Sequence, residues 1–419
     1  MSQTNSTLSL RNERMLLITL AAIQFTNIVD FMIMMPMGDI LKKQLEIGPS
    51  HYGFLVSSYG IAAFVTSFLG VFYLDRISRK RALLTAYLGF IVGTACSAIL
   101  PNTSDQDLNY SLFILTRVIT GLTGGLLGGL VMAIVADVIP MERRGRAMAV
   151  VTISFSLAAV IGMPIALVLV DAFDNNWHVP FYGVSGMALI VWAFAWKWIP
   201  TLDAHIKPNT NPGSRLQTIK DIFQSRIQRN ALLFTVMLVL GQFTVISFMT
   251  PYYINNVGLV QGQIKYIYLV GGIATVFSGF TIGRLVDRVG RFRVFQISAI
   301  LSLLPVIAVT NLPIVPLWVV LFIAGFFFVF ISGRMIPANT IASAVVQPAQ
   351  RAGFMSMNSS MMSLASGSSS IIAGLIISQE SENAPLQHYP WVGVVAVLAT
   401  IAALFILRIL RDAEPKSAG

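Results

Sequence analysis

Among 419 residues there is one cysteine, Cys96, and it lies inside an apolar run. No disulfide framework and no thiolate metal site can be built from it. Charge is scarce too: 11% of residues are Asp, Glu, Lys or Arg, against about a quarter in a soluble domain. So little charge cannot coat a water-facing surface of this size, whereas helices facing lipid need none. Only four histidines occur, His51, His178, His205 and His388, all in loops or at the ends of apolar runs and far apart in sequence. HExxH, GxSxG and the phosphate-binding P-loop pattern are missing. Those absences predict a chain that is not an enzyme, carries no cofactor or metal, and does not use ATP. Any work the chain does then has to draw on an ion gradient or a solute's own gradient.

What is abundant is apolar: 55% of residues, with a mean hydropathy of +0.75. A membrane-spanning helix needs roughly 20 mostly apolar residues. Runs of that kind fall at 15–37, 52–74, 82–100, 111–136, 147–170 and 179–199, then at 231–254, 264–286, 294–312, 315–345, 353–377 and 390–409. That predicts an all-α integral membrane protein with twelve transmembrane helices. The first run is too long and too interrupted by polar residues for a cleaved signal peptide, so it reads as a retained helix. The runs beginning at 111 and 315 exceed the minimum and are expected to tilt. The only long polar interruption, 200–230, is expected to link an N-terminal bundle, 1–199, to a C-terminal bundle, 231–419. Within it, 216–229 alternates apolar and basic residues like a surface helix.

The formal net charge is +10, and its placement matters more than its sum. One set of loops carries Arg76, Arg79, Lys80, Arg81, Arg143, Arg144, Arg146, the basic residues of 207–229, Arg288, Arg291, Arg293 and Arg351. The opposite set has Lys42, Lys43 and Lys265. Cytoplasmic loops retain positive charge, so the Arg-rich loops and both termini are expected in the cytoplasm. The basic excess therefore reads as topology and not as a nucleic-acid partner.

The two halves echo each other. GRLVDRVGRFR at 283–293 closes the eighth run, and VFYLDRISRKR at 71–81 closes the second, with Asp75 and Asp287 standing 212 positions apart (287 − 75). QFT occurs at 24–26 and at 242–244, and RGRAM at 144–148 is answered by RAGFM at 351–355. Parallel repeats of six helices are a known transporter design. The loop at 283–293 resembles the signature of the major facilitator superfamily, and the likeness extends over nearly the whole chain. The copy at 71–81 departs from it, with Val71 and Ser78 where the family usually has glycines. The resemblance implies two pseudo-symmetric six-helix bundles, a monomer and a cytoplasmic gate built on Asp75, Arg76, Arg79, Gly283, Asp287, Arg288, Gly290 and Arg291. RVITG at 117–121 resembles the family's fourth-helix arginine motif, and GMP at 162–164 a shortened antiporter Gly-Pro motif. SGRMIP at 332–337 with MSMNS at 355–359 resembles the drug and sugar-efflux branch of proton antiporters.

Asp30 is the only acidic residue well inside an apolar run. Ionisable residues in hydrocarbon normally face a cavity or a partner and mark proton or substrate pathways. Burial favours the neutral acid and a nearby cation the carboxylate, which is the chemistry a reversible proton carrier needs. The competing reading is a structural carboxylate holding helices together. The aligned segment of the second half has Ser247, so the acid belongs to one half alone. Arg117 and Asp30 each lie six or seven residues from the same end of their runs, a common depth of about 10 Å. A proton-coupling pair of Asp30 and Arg117 follows as one reading, with an arginine bonded to backbone carbonyls as the other. Gln24, Asn27, Gln242, Arg334, Asn339 and Asn358 are the candidates for a substrate cavity, with interhelical hydrogen bonding as their alternative role. The methionine-rich stretch 32–37 fits a tolerant pocket or plain packing equally well.

The function expected is proton-coupled export of a small drug- or sugar-like molecule by alternating access, in a bacterial inner membrane. Proton-coupled uptake, a facilitator and a non-transporting sensor are the alternatives. The partners expected are the small-molecule substrate, protons and membrane lipid.

Overall fold

The computed structural model describes residues 10–73, 77–100, 103–200, 212–344, 346 and 351–412. Among the described residues, twelve helices are long and apolar enough to cross a membrane. In chain order the helices of the first half are α1 (Leu10–Ile33), α2 (Gly38–Gln44), α3 (Pro49–Tyr73), α4 (Arg79–Ala98), α5 (Gln106–Val138), α6 (Met141–Leu157), α7 (Met163–Ala172) and α8 (His178–Trp198). They continue as α9 (Pro212–Gln224), α10 (Arg226–Asn255), α11 (Gln261–Val289), α12 (Arg291–Thr310), α13 (Leu317–Ala344), α14 (Arg351–Ile376) and α15 (Tyr389–Asp412). Of these, α2 and α9 are too short to span, and α6 and α7 form one span joined by a π-helical turn at Ala158–Gly162. Helices dominate because hydrocarbon offers the backbone no hydrogen bonds. Large apolar side chains accordingly face outward, Leu304, Trp318 and Phe280 among them.

Three local departures from simple runs have physical causes. The first run does not continue to 37: α1 ends at Ile33 and the chain turns over 34–37 before α2. Pro36 has no amide hydrogen and disfavours helix at Met35. The expected surface helix at 216–229 is instead α9, ending at Gln224, after which Ser225 caps α10 by accepting from the Gln228 amide. The π turn precedes Pro164, which cannot donate to the Val160 carbonyl, so the fifth span widens there.

The two sets of six spans meet along two seams. In the first, α3 runs against α14 with little more than backbone between them: a Cβ on Gly53 would lie 2.5 Å from the Ser370 carbonyl oxygen, and one on Gly60 2.9 Å from the Gly367 amide nitrogen. In the second, α11 follows α7 and the π turn, where a Cβ on Gly272 would come 2.6 Å from the Ala159 carbonyl oxygen. At the end far from the Arg-rich loops Met34, Met35 and Met37 are buried in one apolar cluster with Val245, Phe248, Met249 and Tyr252 of α10. The methionine stretch is thus a plug between the halves. Replacing Gly53 with alanine is expected to force α3 and α14 apart at a cost of about 1–3 kcal/mol, seen as a lower melting temperature in detergent.

Candidate functional site

Asp30 occupies the last turn of α1 and is fully buried. Arg117 of α5 reaches it with Nη1 2.9 Å from Oδ2, itself 1% exposed. The Thr94 hydroxyl on α4 donates to the other carboxylate oxygen at 3.1 Å, and Arg117 Nη2 donates to the Asp30 carbonyl at 3.4 Å. The guanidinium lies 5.1 Å from the ring centre of Tyr59 on α3 and 5.8 Å from that of Phe181 on α8. The Tyr59 hydroxyl donates to Asn27 Oδ1 at 2.7 Å, and Asn27 Nδ2 donates to the Gly124 carbonyl at 3.4 Å. Gly124 makes this contact sterically open, since a Cβ there would sit 2.5 Å from the Tyr59 hydroxyl. One charge pair thereby gathers five helices of the first half.

The pair that matched run depth offered as one of two readings is present, although the helix ends themselves are not level. Asp30 is nearer its helix end than the apolar run implies, while α5 begins at Gln106 and carries Arg117 three turns in. Thr94, Tyr59 and Phe181 were not singled out in the sequence. A threonine or tyrosine on an apolar run carries too little signal, and only the fold places them around the pair.

Arg334 is fully buried as well, but its neighbours are all neutral. Nη1 donates to Thr400 on α15 at 2.8 Å and to Ser302 on α12 at 3.3 Å, and Nη2 donates to the Leu238 carbonyl on α10 at 3.4 Å. It braces the interior of the second half, and its bonds run to α10, α12 and α15, none of them to the first half. Asn339 is exposed, and Gln242 is partly exposed. Gln24 Oε1 and Asn358 Oδ1 are buried without a hydrogen-bond partner. Of the gate candidates, Asp75 and Arg76 lie outside the described residues. Arg79 bonds Asp137 on α5 at 3.4 Å. Gly283 is half-buried on α11, Asp287 and Arg288 are exposed, and Asp287 makes no ion pair among the described residues. Gly290 forms the corner into α12 at φ 94°, a conformation that favours glycine, and Arg291 lies 5.4 Å from the Phe292 ring centre. Among the described residues no three His, Cys, Asp or Glu side chains converge as a metal site.

A profile of the Major Facilitator Superfamily matches residues 20–260 and 231–419. The chain belongs to the major facilitator superfamily. It is 23% identical to a probable sugar efflux transporter of Helicobacter pylori over 278 residues, 66% of this chain and 67% of that protein. It is 23% identical to the MFS-type transporter YceJ of Bacillus subtilis over 392 residues, 92% of each chain. Among solved structures, a bacterial homologue of the human lysosomal transporter Spinster, inward-facing and unoccupied, superposes with a TM-score of 0.76 at 14% identity, covering 98% of this chain and 100% of that one. A D-xylose–proton symporter gives 0.74 at 18% identity, with 97% and 98% covered. At that identity the structural likeness shows the fold.

In this major facilitator chain the far end is closed by polar contacts as well as by the methionine plug. Asp39 on α2 is buried, pairs with Lys43 at 2.9 Å and accepts from Asn255 at the end of α10 at 2.6 Å. Lys42 is buried and donates to Gln379 beyond α14. Asp171 on α7 pairs with Lys265 on α11 at 2.9 Å. Burial pulls Lys42 down to about 8, despite the attraction of Asp39 and Glu382 and with the repulsion of Lys43 adding to it. The closed state thus carries the cost of a charged Lys42 in full below about pH 8. An opened, hydrated Lys42 keeps its proton up to the ordinary 10.5, so closure gains stability between those values. A cysteine placed at Ser247 in a Cys96→Ser background reports opening through labelling by an impermeant maleimide. The rate relative to the same protein carrying Lys42→Met is expected to fall severalfold from pH 8 to 10, and a constant ratio would rule this out.

Proposed function

We propose that this protein is a proton-coupled secondary transporter that exports small drug- or sugar-like molecules from a bacterial cytoplasm by alternating access. On this reading the bundles 1–199 and 231–419 rock about a central space as a monomer, joined by the linker 200–230. The Arg-rich end and both termini are cytoplasmic, because positive loops stay inside. The Asp75 and Asp287 loops act as gates on that side.

One observation carries the proposal: the buried Asp30–Arg117 pair. A proton added to Asp30 Oδ2 cancels the carboxylate and leaves the guanidinium with a carbonyl, a hydroxyl-bearing ring and a phenyl ring. Removing one partner of a buried pair costs about 3–5 kcal/mol. Every 1.4 kcal/mol is a factor of ten in population, so a single proton suffices to shift a two-state equilibrium more than a hundredfold. The route to the other half is short. Phe31, next in the chain, packs on Tyr59 at 5.3 Å and on Phe243 of α10 at 5.7 Å between ring centres. Loss of the pair therefore loosens a contact between the halves.

The substrate class has two supports. Gln24 and Asn358, one in each half, hold amide oxygens that lack donors, and hydroxyl groups of a sugar-like solute would supply them. The named relatives from Helicobacter pylori are probable sugar efflux transporters.

Purified protein in proteoliposomes, given an imposed pH gradient and a panel of sugars and drugs, tests the whole reading. Asp30→Asn is expected to lose gradient-driven accumulation while keeping substrate exchange without a gradient, and Asp30→Glu to retain part of the driven transport. Undiminished pumping by Asp30→Asn would sink the proton role.

A further inference from the structure

Tyr52, in the first turn of α3, is fully buried at the seam between the two halves. Its ring meets Phe248 of α10 edge-on, 5.2 Å between ring centres. Its hydroxyl lies 3.0 Å from the Met34 carbonyl oxygen of the first half and 3.2 Å from the Ser247 carbonyl oxygen of the second. One hydroxyl proton is thus shared between two backbone acceptors, one on each side of the seam.

Both carbonyls lack the amide that a continuous helix would give them. Four residues after Ser247 stands Pro251, inside α10, which has no amide hydrogen. Four residues after Met34 stands Gly38, whose amide bonds the Met35 carbonyl instead, at 3.2 Å. Two interruptions of the backbone, one in each half, therefore offer acceptors to the same side chain. Gly38 also leaves room for it: a Cβ there would fall 2.6 Å from the Tyr52 hydroxyl oxygen and 3.1 Å from the Pro251 ring.

Other buried tyrosines spend their hydroxyls within one half: Tyr87 on Thr26, Tyr252 on the Leu312 carbonyl and Tyr389 on the Val245 carbonyl. The other far-side bonds between the halves, Asp39 with Asn255, Lys42 with Gln379 and Asp171 with Lys265, each involve a charged group. Tyr52 carries no charge, so parting its bond leaves no ion to hydrate. Its hydroxyl also has a partner in either event, because Met34 belongs to its own half.

We propose that Tyr52 is the latch of the far side. Its hydroxyl is shared by the two halves while that side is closed, and it belongs to Met34 alone once the side opens and water reaches the Ser247 carbonyl. This rests on the alternating access proposed above, and not on the proton, the substrate or the direction of transport.

Double electron–electron resonance on the full-length protein in lipid nanodiscs reads the open and closed populations directly. Spin labels go on Asp107→Cys and Ile314→Cys in a Cys96→Ser background, exposed positions at the far end of the two halves and remote from the latch in sequence. Tyr52→Phe keeps the ring and removes the donor, leaving two carbonyls short of a bond only while the side is closed. The ratio of open to closed is expected to rise about tenfold. Pro251→Ala returns an amide to Ser247, and in that background Tyr52→Phe is expected to change the ratio less than about threefold. Gly38→Ala, which displaces the hydroxyl, is expected to shift the ratio in the same direction as Tyr52→Phe, and it carries the test should Tyr52→Phe fail to fold. Two distances whose ratio ignores the loss of the hydroxyl overturn the latch alone, as does an equal shift with and without Pro251. A single unchanging distance in every variant overturns alternating access, and the latch with it.

Discussion

A polar group inside a bilayer has no water to turn to, and its partners have to come from the protein itself. The helical architecture answers that demand for the backbone, and the side chains answer it one by one. Thr26 meets Tyr87 at 2.8 Å, Ser247 meets Ser370 at 2.7 Å and Tyr389 donates to the Val245 carbonyl at 2.8 Å. Where two charges are involved, the answer is Asp30 with Arg117, supported by Thr94 and enclosed by aromatic rings. The few groups left without partners, Gln24 and Asn358 among them, stand out because the rule is otherwise obeyed so widely.

The two buried arginines show how one residue type takes different work in two related halves. Arg117 has a carboxylate partner in Asp30. Arg334 has hydroxyls and a carbonyl, none of which titrates in the accessible range, so its setting is the same at any physiological pH. The depth differs too: Arg334 bonds the Leu238 carbonyl, which lies earlier along α10 than the Gln242 that echoes Gln24. The repeat conserves architecture and leaves the chemistry asymmetric.

Much of this was legible in the chain itself. Span number followed from apolar run length, the family from GRLVDRVGRFR, and the Asp30–Arg117 pairing from matched depth. Less legible were features created by contact between distant segments. Pro36 announces a break, yet nothing local says that α2 will then dock on Asn255 and Gln379. Arg334 looks like a cavity residue until α12 and α15 are placed beside it. The glycines of α3 and α14 read as small residues, and their pairing across the halves emerges only from the packed helices.

The methionine plug has a consequence for wear. A seal that opens and shuts on every turnover has to refit after each separation, and rigid, branched side chains would demand the same interlock each time. Unbranched thioethers fill whatever gap they find at small cost. Under the alternating access proposed above, the buried Met34, Met35 and Met37 would serve as a gasket, trading sharpness of fit for repeatability, so that the far side could close well without closing identically.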